Sequence, residues 1–363
     1  MVRWVAGLCL SFAALTSLSL SPVVSAFLTT EALAEVVRRN AAPAGLNRYE
    51  AVEPHMGTLV RVTVYTPDEQ SAKAAFRAAF ERIRNLDDIL SDYKPGSELN
   101  RITKTAVNRA MPVSEDLFTV LRASQELADQ TGGAFDITQA PVIQLWREVR
   151  RTGRMPDAAA LRDAAKRAGF RKLHLDAQQR TVRFDMTGMA LDVGGIGKGY
   201  AASEAIEALD ALGVRSALVA ISGDLAFSDA PPGERGWRIG VHSGDPAVLG
   251  VPGVLELTNG AVSTAGNSQQ HVDIDGRRYS HIIDSSSGMG LIDDITVTVV
   301  APHGLESDGL DTAASLLGAE RGLALIESHP NAAALIIERS SAGTNVRQSS
   351  RFGSLRSRSR AGG

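Results

Sequence analysis

The sequence predicts an α+β fold, with mixed or antiparallel sheets and packed helices. Strand-like segments follow one another in runs instead of alternating singly with helices. Two periods support this. Val60, Val62 and Val64 alternate with Arg61 and Thr63, as in a half-buried strand, while Phe76, Phe80, Ile83, Leu86 and Leu90 recur every three or four residues, as on the inner face of a helix. At 363 residues the chain can bury a core of ordinary size.

Taken in order, residues 1–26 hold Arg3 as their one charge, an almost wholly apolar run from Val5 to Leu20, and the small-residue pattern Val24-Ser25-Ala26. This is the composition of a secretory signal peptide, cleaved or kept as an anchor, and it places the body outside the cytoplasm, in the periplasm. Residues 27–47 read as a linker with a short helix before Asn40, and residues 48–340 as the folded domain. Within it, TLVRVTVY predicts the first strand. Glu115 to Gln130 and Asp157 to Ala168 predict helices, and LHLD and TVRFD around AQQR predict a hairpin. A helix follows at Ala201 to Leu212, then strands at SALVAIS, GWRIGV, GVLEL, RYSHIID and DITVTVV. Leu305 to Leu317 returns to helix, and AAALIIE is the last predicted strand. Residues 341–363, rich in Ser, Arg and Gly, read as a disordered basic tail whose charge offers peripheral association with a membrane.

Charge and cysteine content remove whole classes of function. The net charge is −3, but setting aside Arg3 and the five tail arginines leaves 32 basic against 41 acidic residues, a body of −9. An acidic body argues against a nucleic-acid partner. Cys9, the single cysteine, lies in the leader, so the mature chain has no thiol for disulfides, thiolate ligands or nucleophilic attack. There is no H-E-x-x-H or G-x-S-x-G, which argues against zinc and serine hydrolase chemistry.

The stretch LDVGGIGKGYAAS, residues 191–203, remains. Gly197 to Ala202 satisfies G-x-G-x-x-A, the dinucleotide fingerprint, yet half the chain precedes it, and Gly199 after Lys198 excludes a P-loop. Either the glycines expose backbone N–H groups to an anion beside Lys198, or they form a turn for close helix packing. Farther on, in SDGLDTAAS, Asp308 and Thr312 stand four apart at a helix start, so their oxygens share one face suited to a hard cation, or Ser307 or Asp308 merely caps that helix.

HMGT, LSDYKPGSELNRI, TGGAFDIT, LDVGGIGKGYA, VAISGDL, VSTAGN, YSHIID and SDGLDTAAS occur in an order that resembles the ApbE family, the FAD:protein FMN transferases, from about Glu53 to Ile337. The resemblance implies an exported enzyme that takes FAD, binds Mg²⁺ and attaches FMN through a phosphoester to a Ser or Thr of another protein, releasing AMP. It implies that Met56 and Tyr93 flank the flavin nucleotide and that Ala134, Phe135 and Asp136 line the same pocket. Asp192, Lys198 and Ile283 complete the FAD contacts, and the carbonyl of Gly195 with the side chains of Asp308 and Thr312 holds the metal. The family's acceptor pattern D-x-x-[ST]-x-A-T is absent from this chain, so the acceptor is expected to be another polypeptide, a redox protein.

An acceptor hydroxyl needs help to lose its proton, and His281 is the first candidate base, with Asp284 holding its tautomer or acting itself. The alternatives are an exported FAD carrier, an FAD pyrophosphatase, or a dinucleotide-dependent dehydrogenase resting on Gly197 to Ala202. After Asp284 the chain reads Ser285-Ser286-Ser287-Gly288 where the family commonly has Pro and an Arg-Thr-Gly-like run, which predicts a looser loop.

Overall fold

The computed structural model describes residues 40–41, 45–241, 251, 253–266, 271–274, 276–280, 282–292, 294–340 and 343–355. The leader and His281 lie outside the described residues. Among those described, nine strands form one sheet in the order Asn40–Ala41, Asn47–His55, Thr58–Thr66, Ala217–Ile221, Asp224–Phe227, Gly260–Gly266, Asp294–Ala301, Ala333–Ser340 and Gly343–Gln348. Every neighbouring pair in it is antiparallel. A parallel β-α-β crossover at the glycine stretch, which a dinucleotide fold requires, is therefore missing from the sheet, and the dehydrogenase alternative loses its structural basis.

The helices are α1 (Glu69–Leu90), α2 (Glu98–Thr105), α3 (Glu115–Gln130), α4 (Ala140–Thr152), α5 (Ala158–Lys166), α6 (Gly197–Asp210) and α7 (Gly304–Ser328). Val60, Val62, Val64, Val219, Ile221, Val297 and Val299 point from the sheet into the main core, against Phe76, Ile83 and Leu86 of α1, Ala201 and Ala205 of α6, and Leu310 and Ala313 of α7. The period-two and period-3.6 patterns thus meet in one apolar layer. Helix α6 packs Ala201, Ala202, Ala205 and Leu209 against α1, α7 and the sheet and leaves Glu207 and Asp210 exposed. The other sheet face, with Phe227, Val262, Leu335 and Ile337, is covered by Trp237, Ile239 and Leu255 of a hairpin and by Phe352. A third cluster joins Val142, Trp146 and Val149 of α4 to Ala164 and Ile283.

Helix α3 and the LHLD/TVRFD hairpin match their predicted positions. The helix predicted at 305–317 stops where Gly318, at φ +76°, interrupts α7. The strand Asn47–His55 was hidden in the sequence, since Tyr49 and Ala51 are its only buried residues and mark too little of a period. The basic tail is corrected in part: Gly343–Gln348 pairs with Ala333–Ser340, Phe352 is fully buried, and Arg351 donates to the carbonyls of Ile326, His329 and Ala332. Composition misleads here because one phenylalanine and one arginine supply the anchorage. Phe352→Ala is expected to cost about 3 kcal/mol, read as a lower denaturant midpoint. An unchanged midpoint would restore the picture of a solvated tail.

Candidate active site

Helices α6 and α7 cross at two glycines. A methyl carbon at Gly199 would lie 2.1 Å from the carbonyl oxygen of Gly304, and one at Gly304 would lie 1.9 Å from that of Gly199. Ser203 Oγ accepts the Gly304 N–H at 2.7 Å, and Asp308 Oδ2 accepts the Gly199 N–H at 2.8 Å. Close packing is therefore what Gly199 is for, and its result is chemical, because it draws the first turns of both helices to one point.

At that point Lys198 Nζ lies 2.6 Å from Asp224 Oδ2 and 3.7 Å from Asp308 Oδ2. Asp224, Asp308 and Asp311 are 3 %, 2 % and 1 % exposed. Burial, with the Asp224 charge beside it, pushes Asp308 up to about 7. Burial, then Asp308 and Asp224, pushes Asp311 well above the carboxylate range. Burial works against the Lys198 ammonium, but the charges of Asp224, Asp308 and Asp311 hold its pKa well above the usual lysine value. One ammonium among three buried carboxylates leaves excess negative potential.

Gly195 is pressed against Thr312, with a methyl carbon there only 3.0 Å from Oγ1, and Thr312 follows Asp308 by one helical turn. The Gly195 turn is shaped by Asp192, which accepts the Gly194 N–H at 2.8 Å. All of these residues line one open cleft of about 460 Å³.

Met56, Tyr93, Ala134, Phe135, Asp136, Asp192, Lys198 and Ile283 line the same cleft as Gly195, Asp308 and Thr312, so the structure gathers every candidate binding and metal residue. Several are engaged with the protein. Asp136 accepts from the backbone N–H groups of Thr138 and Phe170 at 2.8 and 3.1 Å, so its carboxylate braces two loops. Lys198 faces carboxylates first. Asp284 does not line the cleft: it accepts from Ser286 N–H, Ser286 Oγ and Ser287 Oγ at 3.0, 2.9 and 2.6 Å. Burial opposes its ionised form, but those donors prevail and hold its pKa below the usual range. Those bonds commit the Asp284 carboxylate to a turn within its own loop. The same bonds, with Ser285 Oγ donating to Gly133 O and Trp146 Nε1 to Gly288 O at 2.7 Å each, tie down the loop expected to be loose.

Sequence reading missed Arg147, Arg150, Asp92, Asp224 and Asp311 in the cleft. Arg147 bridges Asp192, at 2.7 Å, and Asp92. Burial raises the pKa of Asp92, with the Asp192 charge adding to it. Asp311, three residues after Asp308, shared its helical face and was legible; Arg147 was not, because WREVRR reads as an ordinary charged helix face.

The same fold occurs in solved flavin transferases. The Pseudomonas stutzeri flavinyl transferase ApbE in its apo form superposes with a TM-score of 0.75 at 30% identity, over 85% of this chain and 97% of that one. The flavin transferase ApbE from Vibrio cholerae gives 0.77 at 26%, over 85% and 99%. FAD:protein FMN transferases of Treponema pallidum (strain Nichols) and Klebsiella pneumoniae (strain 342) are 31% and 30% identical, over 81% and 78% of this chain and 85% and 82% of theirs. The fold and cleft thus define an enzyme of the flavin-transferase class. The ApbE family model matches residues 56–336, and the chain belongs to that family.

Proposed function

We propose that the protein transfers FMN from FAD to a Ser or Thr hydroxyl of an acceptor protein, with Mg²⁺ and with release of AMP. The observation that carries this is the meeting of Gly195, Asp308 and Thr312 at the acidic end of a cleft whose walls hold the other candidate FAD residues. Buried carboxylates in excess of their one ammonium fit a hard cation with oxygen ligands. Bound there, Mg²⁺ would neutralise diphosphate charge and the charge developing on the leaving AMP.

The chain's own residues do the rest. The Gly195 turn and Asp308 fix the cation end, Lys198 adds positive charge, and Met56 and Tyr93 line the same cleft. The acceptor oxygen forms a bond to the FMN phosphorus as the diphosphate P–O bond breaks, and its pair of electrons leaves with AMP. The acceptor proton needs a base, and with Asp284 occupied, His281 is our candidate. The apolar leader supports export, and a periplasmic redox protein carrying D-x-x-[ST]-x-A-T is the proposed acceptor.

Purified protein, FAD, Mg²⁺ and such an acceptor should yield acid-stable flavin fluorescence on the acceptor band. Free FMN and AMP with an unlabelled acceptor would replace transfer by hydrolysis, and intact bound FAD would leave a carrier.

Metal and pH are linked through Asp308. Its folded value of about 7 exceeds the unfolded carboxylate value of about 4. Below that lower value it is neutral in both states. Between the two only the unfolded chain ionises, so metal-free stability falls as pH rises through this window and then levels. Mg²⁺ requires the ionised form. Differential scanning fluorimetry should show a lower metal-free Tm at pH 8 than at pH 5, and a larger rise on adding Mg²⁺ at pH 8.

A further inference from the structure

The last turn of α1 carries Asp87, 3 % exposed, whose carboxylate does not line the cleft. It accepts from Tyr93 OH at 2.7 Å, from Lys94 Nζ at 2.7 Å and from Ser91 Oγ. Burial disfavours its charge, but these donors and the Met56 backbone N–H hold its pKa below the usual carboxylate range.

What it gathers is the cleft mouth. Met56 and Gly57 form the two-residue connection between paired His55 and Thr58, at φ +51° and +73°. A methionine in the left-handed region is strained and persists only where its surroundings hold it. A methyl carbon on Gly57 would sit 4.0 Å from Tyr93 Cε1, so the tyrosine ring lies beside the hairpin tip. Tyr93 is 51 % exposed, which leaves little packing to orient it. Its direction is set by the phenol bond to Asp87 and by the loop beneath, which Asn100 Nδ2 clamps through the carbonyls of Asp92 and Lys94 at 2.7 and 2.9 Å.

We infer that Asp87 is a positioning residue that fixes Tyr93 and the Met56 turn in their ligand-receiving arrangement, so that FAD affinity depends on it more than the transfer step does. This rests on the reading that the cleft takes FAD. The test is calorimetric titration of FAD into the full chain with Mg²⁺, together with AMP release at saturating FAD, for wild type, Asp87→Ala, Asp87→Asn, Tyr93→Phe and the Asp87→Ala/Tyr93→Phe pair. Asp87→Ala should raise Kd about tenfold while the saturated rate falls far less. Asp87→Asn, which keeps an acceptor for Tyr93 and Ser91 and loses the charge facing Lys94, should recover part of that affinity. The double variant should be no weaker than Asp87→Ala alone, because both remove the same bond.

Variants that melt lower yet bind FAD as wild type does would reduce Asp87 to a structural role and overturn the inference. So would additive losses in the double variant. A wild type that binds no FAD would instead overturn the functional reading itself. Asp87→Asn and Tyr93→Phe change few atoms, which keeps the test open if Asp87→Ala fails to fold.

Discussion

Gly199→Ala is expected to cost more than about 3 kcal/mol, a large fraction of the stability of an ordinary domain. The added methyl would fall 2.1 Å from the Gly304 carbonyl oxygen and 2.6 Å from Asp308 Cβ, so backbone must move, not just a side-chain end. Because the same crossing brings Lys198 to Asp308, activity should be lost together with stability. Gly96→Ala is the control: it would meet nothing within 4 Å and should leave the denaturant midpoint almost unchanged. Equal midpoints for the two variants would mean that the helices are not in backbone contact.

Asp308→Asn should separate what Gly199→Ala joins. The amide oxygen can still accept the Gly199 N–H, and removing one of the buried carboxylates around Lys198 relieves repulsion with Asp224 and Asp311. Metal-free Tm at pH 8 should therefore hold or rise. Flavin transfer should fall at least about 100-fold at any Mg²⁺ concentration tested, since the charge proposed to hold the cation is gone. Normal turnover in this variant would remove the metal assignment, whatever became of the rest of the cleft.

Much of the architecture could be read from periodicity because single-sided elements announce themselves. Val60, Val62 and Val64 alternate with Arg61 and Thr63, and the α1 apolar face repeats at helical spacing, since in each the apolar residues fall on one side. Elements without that contrast stayed hidden. Asn47–His55 buries too few residues, and Gly343–Gln348 alternates half-buried with exposed positions at the edge of the sheet. The site divides in the same way. Gly195, Asp308 and Thr312 lay in short local patterns, whereas Asp224, Arg147 and Asp87 act through partners 26, 45 and 6 residues away, at Lys198, Asp192 and Tyr93. Local spacing marks groups that share a turn; it is silent on pairs made by topology. The glycine stretch shows the limit best, because one sequence fitted both an anion cradle and a packing turn, and only the position of Gly304 decides what Gly199 does.

The indole of Trp146 has a consequence for how the cleft can fail. Through its bond to Gly288 O and its place beside Val142, Val149 and Ile283, it moors the Ile283 wall to a small hydrophobic satellite, while the acidic floor is anchored in the main core. The two sides of the ligand chamber therefore stand on independent foundations. Damage to the satellite would slacken the Ile283 wall and leave the acidic floor upright, an asymmetry that hydrogen exchange would register as early opening of residues 282–289 in a chain otherwise still closed.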